Sequence, residues 1–432
     1  MQIKSLKLHN FRCFEDLTVE LHPQCNVLVG ANGAGKSAIL DAVAIALGSY
    51  LAGIDGVTGN SISQDDVHYK MYLNGSSANR EQQFPTAIAV EACVGEHTSM
   101  KWARELHSSA GRTTVKSAKA IMDYAQQIQK NTRSGSTDMI LPLIAYYGTG
   151  RLWAKKQGRK VMSLSRQKPE SRLKGYQDCL LPTANEKMML DWFFKMTLLR
   201  IQEEKEIPEL SVVERAMAEC YKGMVPDAKM VRIRYSVKYN ELEIQSVAAD
   251  DTVEYLPLHL MSDGIRTILN LVADIAYRMA VLNPHLLDNI LTETTGIVLI
   301  DEIDMHLHPA WQKRIVNDLC RVFPKLQFIV TTHAPSVLVN VHNEQIRVVE
   351  QHHVYIPERK TYGRNVQAVM EELMQVKVRP QEVMDELIAF NDLLDAGNLA
   401  GAEELLQQLQ HVLGSDDQDV IEGQIALDME RV

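Results

Sequence analysis

An α/β chain with a parallel sheet at its centre is predicted by three observations. Two short apolar runs, Asn26-Val27-Leu28-Val29 and Ile297-Val298-Leu299-Ile300, read as buried strands. The first ends in a glycine-rich turn, from which a helix is predicted over Lys36 to Tyr50, with Ile39, Leu40, Val43 and Leu47 on one side. The second ends in two carboxylates, Asp301 and Glu302, and is followed by a helix and the strand Phe328-Ile329-Val330. Strands alternating with helices point to a parallel sheet with crossover helices.

Composition narrows the class. The chain has 432 residues, 46% hydrophobic and 23% charged, with a formal net charge of −10. Such a composition excludes a disordered or collagen-like protein. No apolar run reaches the roughly 18 residues that span a bilayer. The opening MQIKSLKLHNFRCFED has no apolar core of the signal-peptide kind, so the expectation is a soluble, cytoplasmic protein. Six cysteines, Cys13, Cys25, Cys93, Cys179, Cys220 and Cys320, lie scattered without a CxxC pair, which argues against a disulfide framework or structural zinc.

Along the chain, the first thirty residues read as strands, with Phe11, Phe14, Leu17, Val19 and Leu21 marking apolar positions. Residues 52–83 are rich in Gly, Ser, Asn and Asp and read as loop. A strand is predicted over Thr86 to Val94, a helix over Val115 to Lys130 and a strand over Met139 to Tyr147. Residues 186–224 form two helices split at Pro208, then strands over 231–237 and 241–247, and a long helix from Ser262 to before Pro284. From Val366 onward the pattern is wholly helical. Charge is segregated: sixteen basic against four acidic residues over 101–174 give +12, while fifteen acids against three basic residues over 370–432 give −12. The expected organisation is a head over 1–360 with a basic, helical insertion at about 101–225, and an acidic helical region over 361–432.

Gly30-Ala31-Asn32-Gly33-Ala34-Gly35-Lys36-Ser37 fits GxxxxGK[ST] between a strand and a helix. In that pattern the backbone curls so that N–H groups and a helix N-terminus surround phosphate. Gly30, Asn32, Gly33, Gly35, Lys36, Ser37 and Ala38 are the nucleotide-binding candidates; Lys36 is placed at the β- and γ-phosphates and the Ser37 hydroxyl at Mg²⁺. Asp301 would hold the metal and Glu302 would polarise the attacking water.

Met261-Ser262-Asp263-Gly264 opens the long helix before the Asp-Glu strand, and Thr331-Thr332-His333 ends the strand after it. This order resembles the ABC-type ATPases, in their RecF and SMC branch. The resemblance implies an ABC-type P-loop ATPase head, RecF/SMC-like, with a short helical insertion and an all-helical C-terminal region. It implies that Ser262 and Gly264 contact ATP held by another protomer, so that ATP is sandwiched in a homodimer, and that His333 is a catalytic switch histidine. Asn10-Phe11-Arg12-Cys13-Phe14 matches the branch's first strand, which places Arg12 beside the phosphates. Gln64 is the candidate for the metal-sensing glutamine. Asp304-Met305-His306-Leu307-His308-Pro309 corresponds to a dimer-facing loop rather than to a metal site.

Tyr147-Gly148-Thr149-Gly150-Arg151-Leu152-Trp153, Tyr362-Gly363-Arg364-Asn365 and the acidic tail resemble the PtuA family, ATPases of Septu-type and retron-associated anti-phage systems. That resemblance implies a regulatory ATPase acting beside an HNH nuclease of the PtuB type, with DNA contacted through 101–174. The alternative is a RecF-like repair or loading ATPase without a nuclease. A self-contained OLD-type nuclease is disfavoured, because Glu350 and Asp417-Gln418-Asp419 are followed by no β/α alternation. The 265 positions between Lys36 and Asp301 are too few for long SMC coiled coils, and heptads are absent.

Overall fold

β1 (Gln2–Phe11) turns tightly at Arg12 into β2 (Phe14–Glu20), and β3 (Cys25–Val29) then leads through the glycine-rich turn into α1 (Lys36–Leu51). The computed structural model describes all residues except 75–76, 96, 137–138, 153–170, 182–185, 226–227, 249, 375–378 and 432. Next come β4 (Tyr69–Asn74) and β5 (Ser77–Gln82), β6 (Thr86–Val94) and β7 (His97–Leu106), α2 (Lys119–Arg133) and β8 (Leu143–Tyr147). Two helices follow, α3 (Glu186–Glu203) and α4 (Pro208–Met224), then β9 (Met230–Ser236), β10 (Glu241–Val247) and β11 (Val253–Pro257). The second half of the head holds α5 (Asp263–Leu282), α6 (Ile290–Glu293), β12 (Gly296–Ile300), α7 (Pro309–Gln312) and α8 (Ile315–Val322). It closes with β13 (Leu326–Thr332), α9 (Pro335–Leu338), β14 (Ile346–Glu350) and β15 (His353–Tyr355). Four helices end the chain: α10 (Val366–Glu372), α11 (Gln381–Asp395), α12 (Leu399–Leu413) and α13 (Gln418–Glu430).

The central sheet has the order β15-β14-β3-β13-β12-β8, parallel except for β15. Every residue of β3, β8, β12 and β13 is buried, which is why these strands read as continuous apolar runs rather than alternations. A second, antiparallel sheet runs β2-β1-β6-β7. In it β6 alternates buried and half-buried positions along its whole length, one face turned to the core. Between the two sheets lies α1, touching β12 and β13 on one side and β6 and β7 on the other. Fourteen of its sixteen residues are buried, and the Trp102 indole N–H donates to the Ala46 carbonyl at 2.9 Å. The smaller sheet β11-β10-β9 packs beside α4. No helix among the described residues is long and apolar enough to cross a membrane.

The polypeptide divides into two compact units, Met1–Arg364 and Asn365–Val432. The smaller one has its own core of Val383, Phe390, Ala402, Leu406, Leu409, Val420 and Leu427. Arg379 closes that unit by donating to both carboxylate oxygens of Asp417, at 2.8 and 3.0 Å.

Three expectations are corrected. Residues 52–83 contain the β4–β5 hairpin rather than loop alone; its Tyr69, Met71 and Leu73 are exposed, so no buried face betrayed it. The basic segment opens inside the antiparallel sheet, since Lys101 to Leu106 belong to β7 paired with β6. The helix read from Val115 starts at Lys119 after a short 3-10 turn, Lys116–Ala118.

Candidate nucleotide site

All five parallel strands of the central sheet end on one edge, and the motif residues collect there. Ligands of open α/β sheets bind at this carboxyl edge. The order of strands sets the order of groups: the β14–β15 turn, then the glycine-rich loop after β3, His333 after β13, Asp301 and Glu302 after β12, and Gly148 after β8.

The loop reaches α1 through Gly35, whose φ is +105° and whose missing Cβ leaves room for the Phe14 ring edge; a Cβ there would lie 2.5 Å from Phe14 Cζ. Gly33 is also left-handed, Asn32 is exposed, and Ala38 is buried under the first turn of α1. Lys36 Nζ donates to the carbonyls of Gly30 and Ala31 at 2.8 and 2.9 Å. Burial lowers the Lys36 pKa, and Asp301, Glu302 and Asp304 pull in the opposite direction.

Ser37 Oγ donates to the Asp301 carboxylate, at 3.1 and 3.0 Å to its two oxygens, across 264 positions of sequence. Asp301 is only 8% exposed. Thr331 Oγ donates to Asp301 Oδ1 at 2.6 Å and accepts from the Glu302 amide at 2.7 Å, so one hydroxyl orients two consecutive residues. Thr332 Oγ donates to Asp304 Oδ1 at 2.6 Å and accepts from the Ala334 amide at 3.0 Å. Glu302 itself has φ +49°, a left-handed backbone that a non-glycine residue adopts at a cost. A serine hydroxyl facing a carboxylate is the hard oxygen donor set that suits Mg²⁺.

Arg12 sits at the β1–β2 turn, where it meets α1. Its guanidinium donates to Asp66 at 2.8 Å and to Asp41 at 2.6 Å. Burial works against its charge, but Asp41 and Asp66 outweigh this and raise its pKa. Asp41 also accepts from the Tyr146 hydroxyl at 2.8 Å. Gln64 lies two residues from Asp66 in the same 3-10 turn, Gln64–Asp66, and its amide donates to the Ser109 carbonyl. Arg12 therefore ties the glutamine-bearing turn to α1.

Ser262 caps α5, accepting from the Ile265 amide at 3.5 Å, and is exposed. Gly264 is buried against the Asp304–Pro309 turn: a Cβ at this position would lie 2.3 Å from the His306 carbonyl oxygen. Within that turn His308 Nδ1 accepts from the Ala310 amide at 3.2 Å, which makes it the cap of α7. Farther along α5, Asp274 accepts from Tyr147 at 2.6 Å and from Arg278 at 2.7 Å, all three buried. Arg278 continues to the carbonyls of Gly175 and Gln177, both at 2.9 Å. α5 is thereby fixed to the end of β8.

Ser37, Lys36, Asp301, Glu302 and His333 converge on one edge. Arg12 and Gln64 form a neighbouring cluster joined to α1, while Ser262 and Gly264 open a separate helix. Asp41, Asp66, Tyr146 and Thr331 hold these groups and were not singled out from sequence. Of the basic stretch, Arg104 is buried with its guanidinium on Ser49 and Ser61, and Arg172 donates to the Leu282, Ser136 and Met139 carbonyls. Trp153, Lys155, Lys156, Arg159, Lys160, Arg166 and Lys168 lie outside the described residues.

This geometry defines a nucleotide-binding α/β ATPase head. A family model described as an AAA domain matches residues 5–224, about half of the chain, and a further AAA-domain model matches residues 238–340. The chain belongs to the AAA-domain family and is an ATP hydrolase. It is 26% identical to the Retron Ec83 probable ATPase of Escherichia coli over 99% of this chain and 87% of that protein. It is 25% identical to the Retron Vc95 probable ATPase of Vibrio cholerae over 92% and 84% of the two chains. Similarity to the Septu protein PtuA of Bacillus mycoides is higher, 39%, but covers 27% of this chain and 16% of that one.

Proposed function

We propose that the chain is the regulatory ATPase of an anti-phage defence complex, closing as a homodimer around ATP to control an HNH nuclease partner of the PtuB type. The observation that carries the chemistry is the Ser37–Asp301 pair at 3.0 Å, set beside Lys36 and Glu302. Ser37 and Asp301 hold Mg²⁺, which when bound neutralises charge on the transferring phosphoryl group. Lys36 exchanges its two loop carbonyls for phosphate oxygens. Glu302 orients the attacking water, and His333 contacts the γ-phosphate from the end of β13. Arg12 and Gln64 form the arm that responds to the phosphates and metal, and Ser262 with Gly264 reaches ATP across the dimer. Support for the defence setting comes from the near full-length similarity to two retron ATPases.

The acidic unit over 365–432 is the docking element for the nuclease, and exposed Arg112, Lys116, Lys119 and Lys130 belong to the surface that meets DNA. Nucleotide binding and turnover, measured separately, test the core. Glu302→Gln is expected to bind ATP with little hydrolysis, and Lys36→Ala to lose binding; wild-type turnover by Glu302→Gln refutes its role. Co-purification tests the docking. A chain truncated after Arg364 is expected to bind ATP and dimerise without retaining the neighbouring nuclease.

A further inference from the structure

The strand order fixes which way a nucleotide lies in the loop. Ser37 and Asp301 mark the β12 side as the end for metal and γ-phosphate, so the nucleoside leaves on the other side of β3, toward β14. The surface waiting there is the turn between β14 and β15. Val348 pairs with Val29, so residues 351 and 352 stand level with the glycine-rich loop. The exposed ring of His352 lies 6.2 Å from the Phe14 ring at an interplanar angle of 89°. Phe14 in turn rests its edge on Gly35. An unbroken series therefore runs from the loop through a buried phenyl ring to an exposed imidazole, and β15 packs on β2 to hold it.

The backbone of the turn is a second, independent observation. Glu350 pairs with His353, which leaves the two-residue loop Gln351-His352 with φ values of +46° and +66°. Hairpin loops with two left-handed residues take Asn-Gly, because larger side chains are strained there. Strain of this kind is kept where the side chains are used.

We propose that His352 is the platform on which the base of the nucleotide stacks, which makes the β14–β15 turn a base-binding subsite. An exposed ring face recognises the flat surface of a base rather than its hydrogen-bonding edge. ATP and GTP are both taken, with little discrimination between them. The inference rests on the proposed placement of the γ-phosphate beside Asp301.

Titration calorimetry on the full chain, with ATP and inorganic tripolyphosphate as probes, tests it. His352→Ala is expected to raise the Kd for ATP about tenfold while leaving that for tripolyphosphate unchanged. His352→Trp restores ATP affinity. His352→Gly binds ATP as weakly as His352→Ala but melts at a higher temperature, because glycine relieves the left-handed backbone. An unchanged ATP Kd in His352→Ala overturns the proposal, and so does equal weakening of ATP and tripolyphosphate. If tripolyphosphate binding is indifferent to Lys36→Ala, the phosphate placement itself is overturned, whatever His352 does.

Discussion

In the unit Met1–Arg364 the carboxylates that organise the structure are buried: Asp274 has a side-chain exposure of 3%, and Asp301 is 8% exposed. In the unit Asn365–Val432, Glu382, Glu404, Glu422 and Asp428 face water, and apolar residues such as Phe390 and Leu406 hold the helices together. A carboxylate taken out of water survives only with its partners in place, so its loss is costly. One left in water keeps most of its solvation whatever its neighbours do. Identical chemistry thus marks position at Asp274 and Asp301 and solubility at Glu382, Glu404, Glu422 and Asp428, while Asp417, bonded to Arg379, keeps a structural role in the smaller unit.

The sharpest way to break that contrast is Asp274→Ala, which leaves Arg278 buried without its carboxylate. A loss of about 3–5 kcal/mol is expected in urea denaturation of the full chain; a loss below about 1 kcal/mol would erase the distinction. Next comes Leu406→Ala, in the core of the smaller unit. It should cost that unit about 3 kcal/mol through a cavity, leaving ATP affinity unaltered. Loss of ATP binding in this variant would show that the two units do not stand apart energetically.

Thr331→Val sharpens the comparison at the site itself. It keeps the shape but removes the hydroxyl shared by Asp301 and the Glu302 amide, for an expected cost of about 2 kcal/mol. ATP turnover is expected to fall, with Thr331→Ser retaining it. At the small end, Arg431→Ala removes a surface partner of Glu403 and should shift stability by no more than about 0.5 kcal/mol.

What could be read from sequence follows the same division. The glycine-rich loop, the Asp-Glu strand end and the helices after Val366 were legible because each is contiguous and shows its period or motif locally. The β4–β5 hairpin was not, since its strands bury no face. Thr331, Asp41 and Asp66 carry no local signature: their partners lie 30, 29 and 54 positions away, and only the fold brings them together. Net charge misled in a different way. Arg104 and Arg172 add to the basic total of 101–174, yet both are consumed inside the head by hydroxyls and carbonyls.

The burial of α1 has a consequence for how news of an occupied site can travel. Only Ser37 and Asp41 of this helix escape full burial. Beyond Asp41 the helix offers no free face against which an outside molecule could lie. Near its N-terminus two side chains connect it to the motif residues: Ser37 donates to Asp301, which Thr331 also holds, while Asp41 accepts from Arg12, which also donates to Asp66 on the turn that carries Gln64. Because the two sets of bonds share no side chain, a substitution at Thr331 removes a bond from one and a substitution at Arg12 removes bonds from the other, which lets each be altered separately.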